Sequence, residues 1–347
     1  MNTLSSLIKL PVIGFVAAFI FSVVLVPLVR KMCLKEGYYD IPNERKIHTK
    51  PIPRLGGIAI WLGTIFSLIT VVLISGIYPF GNSLSAVLVG GTIMFIMGMV
   101  DDTYGLSAKF KFIIQIGAAL ITYLLGVQIT NVFIPIIDAQ IVFGFWSLPI
   151  TILWIVGLSN AFNFIDGVDG LAGTLGSTCA VTLGIVALFM VPPQDTCTLL
   201  SFILAGAILG FLVFNYNPAR IFMGDSGSLF MGFLLAALSV AGVMKTITFT
   251  MFLPMIVLFV PIFDICFATI RRLIKGTSPF HPDAEHLHHK LLNAGLSPNK
   301  TVLTMATCTI AAGLIVTHLV GALRLYLVAI SCLCFTLLLI SLLSKLR

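Results

Sequence analysis

Long apolar runs, separated by short polar segments, follow one another along almost the whole chain. A helix that crosses a bilayer needs about 20 consecutive, mainly apolar residues. Eleven runs of about this length predict eleven transmembrane helices, at residues 8–29, 55–76, 84–100, 110–127, 147–163, 171–191, 198–214, 227–243, 249–271, 301–320 and 324–344. The pattern therefore predicts an all-α polytopic integral membrane protein, in which residues 1–347 form one membrane-embedded domain.

One segment departs from the helical pattern. Residues 129–145, between the fourth and fifth predicted spans, are rich in β-branched side chains. Because such side chains favour strands, we predict a short β-hairpin at the membrane surface here.

The composition agrees with lipid as the main solvent of the chain. Hydrophobic residues make up 59% of the sequence and charged residues only 10%, with a mean hydropathy of +1.10. These values exclude an ordinary soluble domain. The seven cysteines form no CxxC pair, which favours small buried hydrophobes over a disulfide or zinc framework. The first apolar run lacks the features of a cleaved signal peptide, so we expect a retained helix.

The basic residues are distributed unevenly between the segments that connect the spans. Residues 30–54 carry seven Lys and Arg residues, which predicts a cytoplasmic location. Alternating the eleven spans from this segment places the N-terminus outside, the C-terminus in the cytoplasm, and 17 of the 20 Lys and Arg residues inside. Five polar segments then share the cytoplasmic face and predict a single active site, namely 30–54, 101–109, 160–170, 215–228 and 272–300.

Asp101 and Asp102 end the third predicted span, although adjacent carboxylates repel each other and are costly near hydrocarbon. A simple charged helix end is the plainer explanation. The pair is also suited to bind Mg²⁺ or Mn²⁺, or to act as a base. Lys111 follows, where a cation either meets a phosphate or extends its amine out of the lipid.

The segment NAFNFIDGVDG places Asn160 and Asn163 three residues apart, and Asp166 and Asp169 repeat that spacing. A turn rich in Asn, Asp and Gly is the alternative explanation. Two amides and two carboxylates at a bilayer edge exceed what a turn requires, which favours a functional site.

The segment MGDSGS places Gly224 and Asp225 directly before the eighth predicted span. Glycine lets the backbone approach an anion, and a helix N-terminus offers free N–H groups to a phosphate. An ordinary helix cap is equally compatible with this pattern. The segment lacks the GK[ST] ending of a P-loop, so a nucleoside triphosphatase of that type is not expected.

Four of the six histidines lie within nine residues, at positions 281–289. Their spacing is poor for zinc, whereas a loop dense in imidazole suits a diphosphate. His48 and Arg54 add further basic groups before the second span. A metal site, cations for phosphate and a membrane together indicate phosphoryl transfer from a soluble donor to a lipid acceptor.

These motifs, in order from HTKPIPRLGG (48–57) to HLHHKLL (286–292), resemble the polyprenyl-phosphate N-acetylhexosamine-1-phosphate transferases, which are glycosyltransferase family 4. The resemblance implies a bacterial inner-membrane enzyme that uses Mg²⁺ (or Mn²⁺), takes a sugar 1-phosphate from a UDP-sugar to undecaprenyl phosphate and releases UMP. The transfer is expected to be direct, with a covalent aspartyl intermediate as the competing mechanism. No nucleic acid partner is expected, and a homodimer is the oligomer to test.

The resemblance also implies roles for individual residues. Asp101, Asp102 and Asp166 are expected to be catalytic, and Asp225, with Asp101 and Asn163, to hold the metal. The expected substrate-binding residues are Asp169 at the uracil, together with Asn160, Asn163, Lys111, His48, Arg54, Gly224, His281, His286, His288 and His289.

Two differences from the muramoyl-pentapeptide branch of this family indicate which UDP-sugar is the donor. The muramoyl-pentapeptide branch has three adjacent histidines and no arginine in the PIPRLGG segment, whereas here Leu287 separates His286 from His288 and Arg54 is present. Both features resemble the N-acetylglucosamine branch, so UDP-N-acetylglucosamine is the expected donor and the pentapeptide donor the alternative. A secondary transporter is a distant alternative, because its carboxylates would lie at the midplane of broken helices.

Overall fold

The computed structural model describes residues 2–40, 51–76, 82–134, 139–243, 252–276 and 285–345, and it is mainly helical. The described helices are α1 (Asn2–Glu36), α2 (Gly57–Ser75), α3 (Asn82–Tyr104), α4 (Ala108–Leu124), α5 (Ser147–Ile165), α6 (Leu171–Phe189), α7 (Asp195–Asn215), α8 (Gly224–Leu238), α9 (Phe252–Val257), α10 (Phe259–Ile274), α11 (Leu287–Asn293), α12 (Pro298–Leu319) and α13 (Leu323–Lys345). A 3₁₀ turn (Gly144–Trp146) precedes α5, and a π-helical turn (Ser239–Val243) follows α8.

Each of the eleven predicted spans coincides with a helix or a pair of helices, so the all-α polytopic architecture is confirmed. Among the described residues, nine helices are long and apolar enough to cross a membrane. The other two predicted spans correspond to α4, which has 17 residues, and to the pair α9 and α10. The number of spans and their orientation stay predictions.

The ninth predicted span is interrupted at Leu258, between α9 and α10. Pro261 explains the break, because its ring has no N–H to donate to the carbonyl of Val257 and clashes with a carbonyl four residues earlier. The carbonyl of Val257 accepts a hydrogen bond from the Cys179 thiol of α6 instead, at 3.4 Å. The break thus separates a short helix packed at the core from the longer α10.

Among the described residues, two small antiparallel ladders accompany the helices. β3 (Asn131–Ile134) pairs with β4 (Ala139–Val142), which confirms the predicted hairpin. β1 (Tyr39–Asp40) pairs with β2 (Ile52–Pro53) and links the polar end of α1 to the start of α2. The segment before α8 joins this second ladder, since the Phe222 N–H donates to Pro53 O at 2.7 Å.

The core lies around α6 and α8. Every residue from Leu171 to Leu188 of α6 is buried, and so is α8 from Ser226 onwards. Glycines allow α3 to approach the first turn of α8 closely, as a Cβ on Gly98 would lie 2.5 Å from the backbone carbonyl of Asp225. The packing of the bundle therefore fixes the position of the MGDSGS segment.

Candidate functional site

A cleft of about 880 Å³ opens at the end of the bundle where α3, α5 and α7 finish and α8 begins. This volume is within the range of about 300–1,000 Å³ that is usual for small-molecule sites. Seven of the predicted site residues line the cleft, namely Arg54, Asn163, Asp166, Asp169, Gly224, Asp225 and His289. The structure therefore brings together side chains from four of the predicted cytoplasmic segments.

Asp225, in the first turn of α8, is the centre of a polar network that connects four helices, α3, α4, α5 and α8. Its Oδ2 lies 3.1 Å from Nζ of Lys111, which also lies 3.0 Å from Oδ2 of Asp101. Its Oδ1 accepts a hydrogen bond from Nδ2 of Asn163 at 3.0 Å. One ammonium group thus lies between carboxylates of α3 and α8, which marks this point as a cation position.

Asp102 has surroundings very different from those of Asp101. Its side chain is completely buried, and its two oxygens accept from the backbone N–H groups of Asp225 and Ser226, both at 3.0 Å, and from the Ser226 hydroxyl at 2.8 Å. Arg54 lies 3.3 Å away. Asp102 therefore caps the N-terminus of α8 from another helix, where an anion is stabilised by the free N–H groups.

Gly224 has a physical reason to be glycine. Its φ is +71°, in the left-handed region that other residues adopt only with strain. A Cβ there would also overlap the Asp102 carboxylate and the carbonyl of Arg54. The glycine is thus required for the contact between Asp102 and the α8 backbone.

Asp166 lies at the C-terminal end of α5 and faces the cleft. Burial raises the pKa of its carboxyl well above the usual range, and the nearby carboxylates of Asp225, Asp102 and Asp169 raise the pKa further. Arg54 opposes this effect in part. A negative charge on the Asp166 carboxyl is therefore costly in this structure.

Asp169 also lines the cleft, and its carboxylate binds the segment after α7. Its Oδ2 accepts from Nδ2 of Asn217 and from the N–H of Ala219, both at 3.0 Å. The neighbouring Gly170 N–H donates to Oδ1 of Asn215 at 3.1 Å. Asp169 thus fixes the loop between α7 and α8, and its predicted contact with uracil stays a prediction.

Asn160 is placed differently from Asn163. It exchanges two hydrogen bonds with the side-chain amide of Gln115 on α4, at 2.7 and 3.3 Å, and also donates to Val156 O at 2.7 Å. Both of its polar side-chain atoms therefore join α4 to α5. The predicted substrate contact of Asn160 has no support in this geometry.

Three of the four clustered histidines are described, at the start of α11. His286 lies 2.8 Å through Nδ1 from Oδ2 of Asp264, and its ring stacks on Phe164 at 5.1 Å. Burial lowers the pKa of His288 to about 4, so this imidazole is neutral at pH 7. His289 lines the cleft. His48 and His281 lie outside the described residues.

Sequence reasoning missed Asp264, because the residue lies inside the ninth predicted span. A carboxylate in an apolar run was the available signal, since such residues are costly in lipid and commonly functional. It also missed Gln115 and Asn217, which are single polar residues whose partners are distant in sequence.

The residues at the cation position fit Mg²⁺ or Mn²⁺. Asp101 and Asp225 provide hard oxygen donors that share one cationic neighbour. Within the described part of the chain, no three His, Cys, Asp or Glu side chains converge as a metal cage. Mg²⁺ usually takes only one or two carboxylates and completes its shell with water and substrate phosphates. A diphosphate in the cleft would supply the missing ligands.

Comparison with known proteins agrees with this site. The model of Glycosyl transferase family 4 matches residues 84–243, which run from α3 to the turn after α8. A probable undecaprenyl-phosphate N-acetylglucosaminyl 1-phosphate transferase of Bacillus subtilis is 39% identical over 295 residues, 85% of this chain and 80% of that protein. The chain belongs to glycosyl transferase family 4. The resemblance seen in the sequence is thereby confirmed.

Two further relatives of this family 4 chain are similar over most of their length. Decaprenyl-phosphate N-acetylglucosaminephosphotransferase of Mycobacterium tuberculosis is 35% identical over 322 residues, 85% of this chain and 78% of that protein. Undecaprenyl-phosphate alpha-N-acetylglucosaminyl 1-phosphate transferase of Salmonella typhimurium is 29% identical over 318 residues, 87% and 82% respectively. The matched family region contains Asp101, Asp166 and Asp225, whereas Arg54 and the histidines lie outside it.

Proposed function

We propose that the protein transfers N-acetylglucosamine 1-phosphate from UDP-N-acetylglucosamine to a polyprenyl phosphate, with undecaprenyl phosphate as the acceptor, and releases UMP. The observation that carries this proposal is the position of Lys111 between Asp101 and Asp225, where Asp225 lines a cleft at the end of a membrane-helix bundle. The relatives from three organisms are named for this sugar phosphate and for polyprenyl acceptors. The reaction is the first membrane step of a cell-envelope polysaccharide.

In this proposal Asp101 and Asp102 have different roles. Asp101 is 11% exposed and contacts Lys111 next to Asp225, whereas the Asp102 side chain is fully enclosed by its contacts with α8. Asp101 therefore faces the reacting phosphates, and Asp102 positions Asp225. A bound Mg²⁺ would be held by Asp225 and Asp101 and would neutralise charge on the diphosphate.

Cations in the cleft and next to it bind the donor. Arg54, which lines the cleft, and Lys111, which contacts Asp225, neutralise the diphosphate, and His289 approaches it from α11. An oxygen of the lipid phosphate forms a bond to the β-phosphorus, and the bond from this phosphorus to the bridging oxygen breaks, so that UMP leaves. Asn163 keeps Asp225 in place through its hydrogen bond, and Asp166 lines the cleft next to these groups.

The cleft faces the cytoplasm of a bacterial inner membrane in this proposal, because the basic residues concentrate on that side. Cysteine labelling from either side of sealed vesicles tests this placement at Ser107, which begins α4 and lies in an exposed segment. A homodimer stays a prediction.

The decisive experiment uses full-length protein in detergent with undecaprenyl phosphate, Mg²⁺ and one UDP-sugar at a time, and measures UMP release. UDP-N-acetylglucosamine should be turned over, and Asp225→Asn should reduce turnover to background. Because no sealed membrane is present, turnover excludes the transporter alternative. Use of UDP-N-acetylmuramoyl-pentapeptide in place of UDP-N-acetylglucosamine would overturn the donor assignment, and inactivity with every UDP-sugar would overturn the reaction.

A further inference from the structure

Asp264 is a buried carboxylate on α10 that no step of the proposed reaction uses. Its side chain is only 5% exposed. Oδ2 lies 2.8 Å from Nδ1 of His286, and Oδ1 accepts the backbone N–H of Leu287 at 2.7 Å. Both oxygens therefore hold the point at which α11 begins.

The contact with His286 determines which ring nitrogen carries the proton. An ionised carboxylate can only accept hydrogen bonds, so Nδ1 of His286 must be the donor. Nε2 is then the ring nitrogen left for another partner. Such a carboxylate–histidine pair fixes both the tautomer and the orientation of an imidazole.

The ring of His286 is also held on its faces, and these contacts connect α11 to the cleft. The ring of Phe164 stacks on the ring of His286, with 5.1 Å between the ring centroids. The ring of His288 lies parallel to the ring of His286, with 6.0 Å between the centroids. The ring centroids of His288 and His289 are in turn 4.2 Å apart, and His289 lines the cleft. A displacement of His286 would therefore be passed to the histidine that faces the donor.

We propose that Asp264 is a positioning residue, which holds His286 in the Nδ1–H tautomer and orders the first turn of α11, so that His289 is placed in the cleft. The effect on turnover rests on the proposed function, whereas the tautomer does not. A residue with a purely structural role would hold α11 in place but would have no reason to select one tautomer.

Asp264→Asn separates these two roles. The asparagine oxygen can still accept the Leu287 N–H, which retains the contact with the start of α11. Its NH₂ group then faces Nδ1 of His286, which must become an acceptor, so the ring proton moves to Nε2. Asp264→Glu keeps an acceptor for Nδ1, and Asp195→Asn, at the start of α7, is a matched control outside the cleft.

The experiment records long-range ¹H–¹⁵N spectra of full-length protein labelled at histidine, in detergent, with His286→Gln to assign the signal among six histidines. We expect Nδ1–H in the wild type and in Asp264→Glu, and Nε2–H in Asp264→Asn. We expect kcat/KM for UDP-N-acetylglucosamine to fall at least tenfold in Asp264→Asn, mostly through KM, and to be unchanged in Asp195→Asn.

Two results would overturn the proposal. The first is an Nε2–H tautomer in the wild type. The second is an Asp264→Asn protein with altered tautomer and unaltered kcat/KM. Inactivity of the wild type with every donor would refute the proposed function instead, while the spectra would still decide the tautomer.

Discussion

Replacing Asp102 by asparagine should weaken the fold, and replacing Asp101 in the same way should not. In Asp102→Asn, one acceptor oxygen becomes an NH₂ group that faces the N–H of Asp225 or Ser226, both of which lie 3.0 Å from the native carboxylate. Leaving a buried donor unsatisfied costs roughly 1–3 kcal/mol. The expected loss of stability is therefore about 1–3 kcal/mol.

Asp101→Asn loses much less stability. The asparagine oxygen can still accept the Leu106 N–H, which donates to Asp101 at 2.7 Å, and Lys111 keeps its contact with Asp225. The ion pair that is lost is mostly buried, but Lys111 stays paired with Asp225, so the substitution leaves no buried charge without a partner. Its turnover should fall nevertheless, because Asp101 faces the reacting phosphates in the proposed reaction.

Thermal unfolding in detergent, measured beside UMP release, tests both statements. Asp102→Asn should unfold at a clearly lower temperature than the wild type, and Asp101→Asn at a temperature much closer to it, because Lys111 keeps Asp225 as its partner. Asp195→Asn controls for the removal of a carboxylate as such. A wild-type unfolding temperature in Asp102→Asn would refute the capping role, and a wild-type rate in Asp101→Asn would refute its place among the reacting groups.

The remaining predictions concern the metal, two glycines and pH. Chelation of divalent cations should abolish UMP release, with recovery on adding Mg²⁺ or Mn²⁺, and Asp225→Asn should stay inactive at any Mg²⁺ concentration; activity in the chelated enzyme would contradict the metal role. Gly224→Ala should lower both stability and turnover, since left-handed backbone alone costs about 1–2 kcal/mol for alanine; an unchanged unfolding temperature would argue against strain there. Gly167→Ala should raise the donor KM, because its Cβ would lie 2.6 Å from Nε2 of His288, and a KM equal to that of the wild type would contradict this clash. The pKa of His288 is lowered to about 4 in the folded protein and has its ordinary value of 6.5 in the unfolded chain. Between these two pH values only the unfolded chain binds the proton, so the stability of the fold should decrease as the pH falls from 6.5 to about 4. The decrease should be smaller in His288→Gln, and an equal decrease in both proteins would contradict this role of His288.

The hydrophobic pattern was enough to place the helices, because every span must be apolar to lie in lipid. It could not show which helices lie at the centre, since lipid and protein interior select the same side chains. Thus α6 is buried along its length while α13 is mostly exposed, although both sequences are strongly apolar. The break in the ninth span was also visible only as Pro261, and prolines occur in other helices such as α1 without a break.

The candidate site was predictable as a set of residue types and much less so as a set of contacts. Asp101, Asp225 and Asn163 were correctly expected to lie at one end of the bundle. Lys111 joins Asp101 to Asp225, and Lys111 and Asp225 are 114 residues apart, a contact that a single sequence cannot reveal. Asn160 shows the reverse case, because its spacing from Asn163 suggested a common role and the packing of α4 gave it another partner.

The cap that Asp102 supplies to α8 also has a consequence for how the chain is made. The carboxylate and the amide that it binds are 123 residues apart, so translation needs roughly 6–25 s to produce the second after the first. During this interval a nascent chain carries Asp101 and Asp102 at the end of an inserted helix, before the backbone that will enclose Asp102 exists. Both carboxylates must remain hydrated at the membrane surface until α8 arrives. The candidate site is thus completed late in synthesis, and a chain that ends before residue 226 would carry both carboxylates without the backbone groups that enclose Asp102.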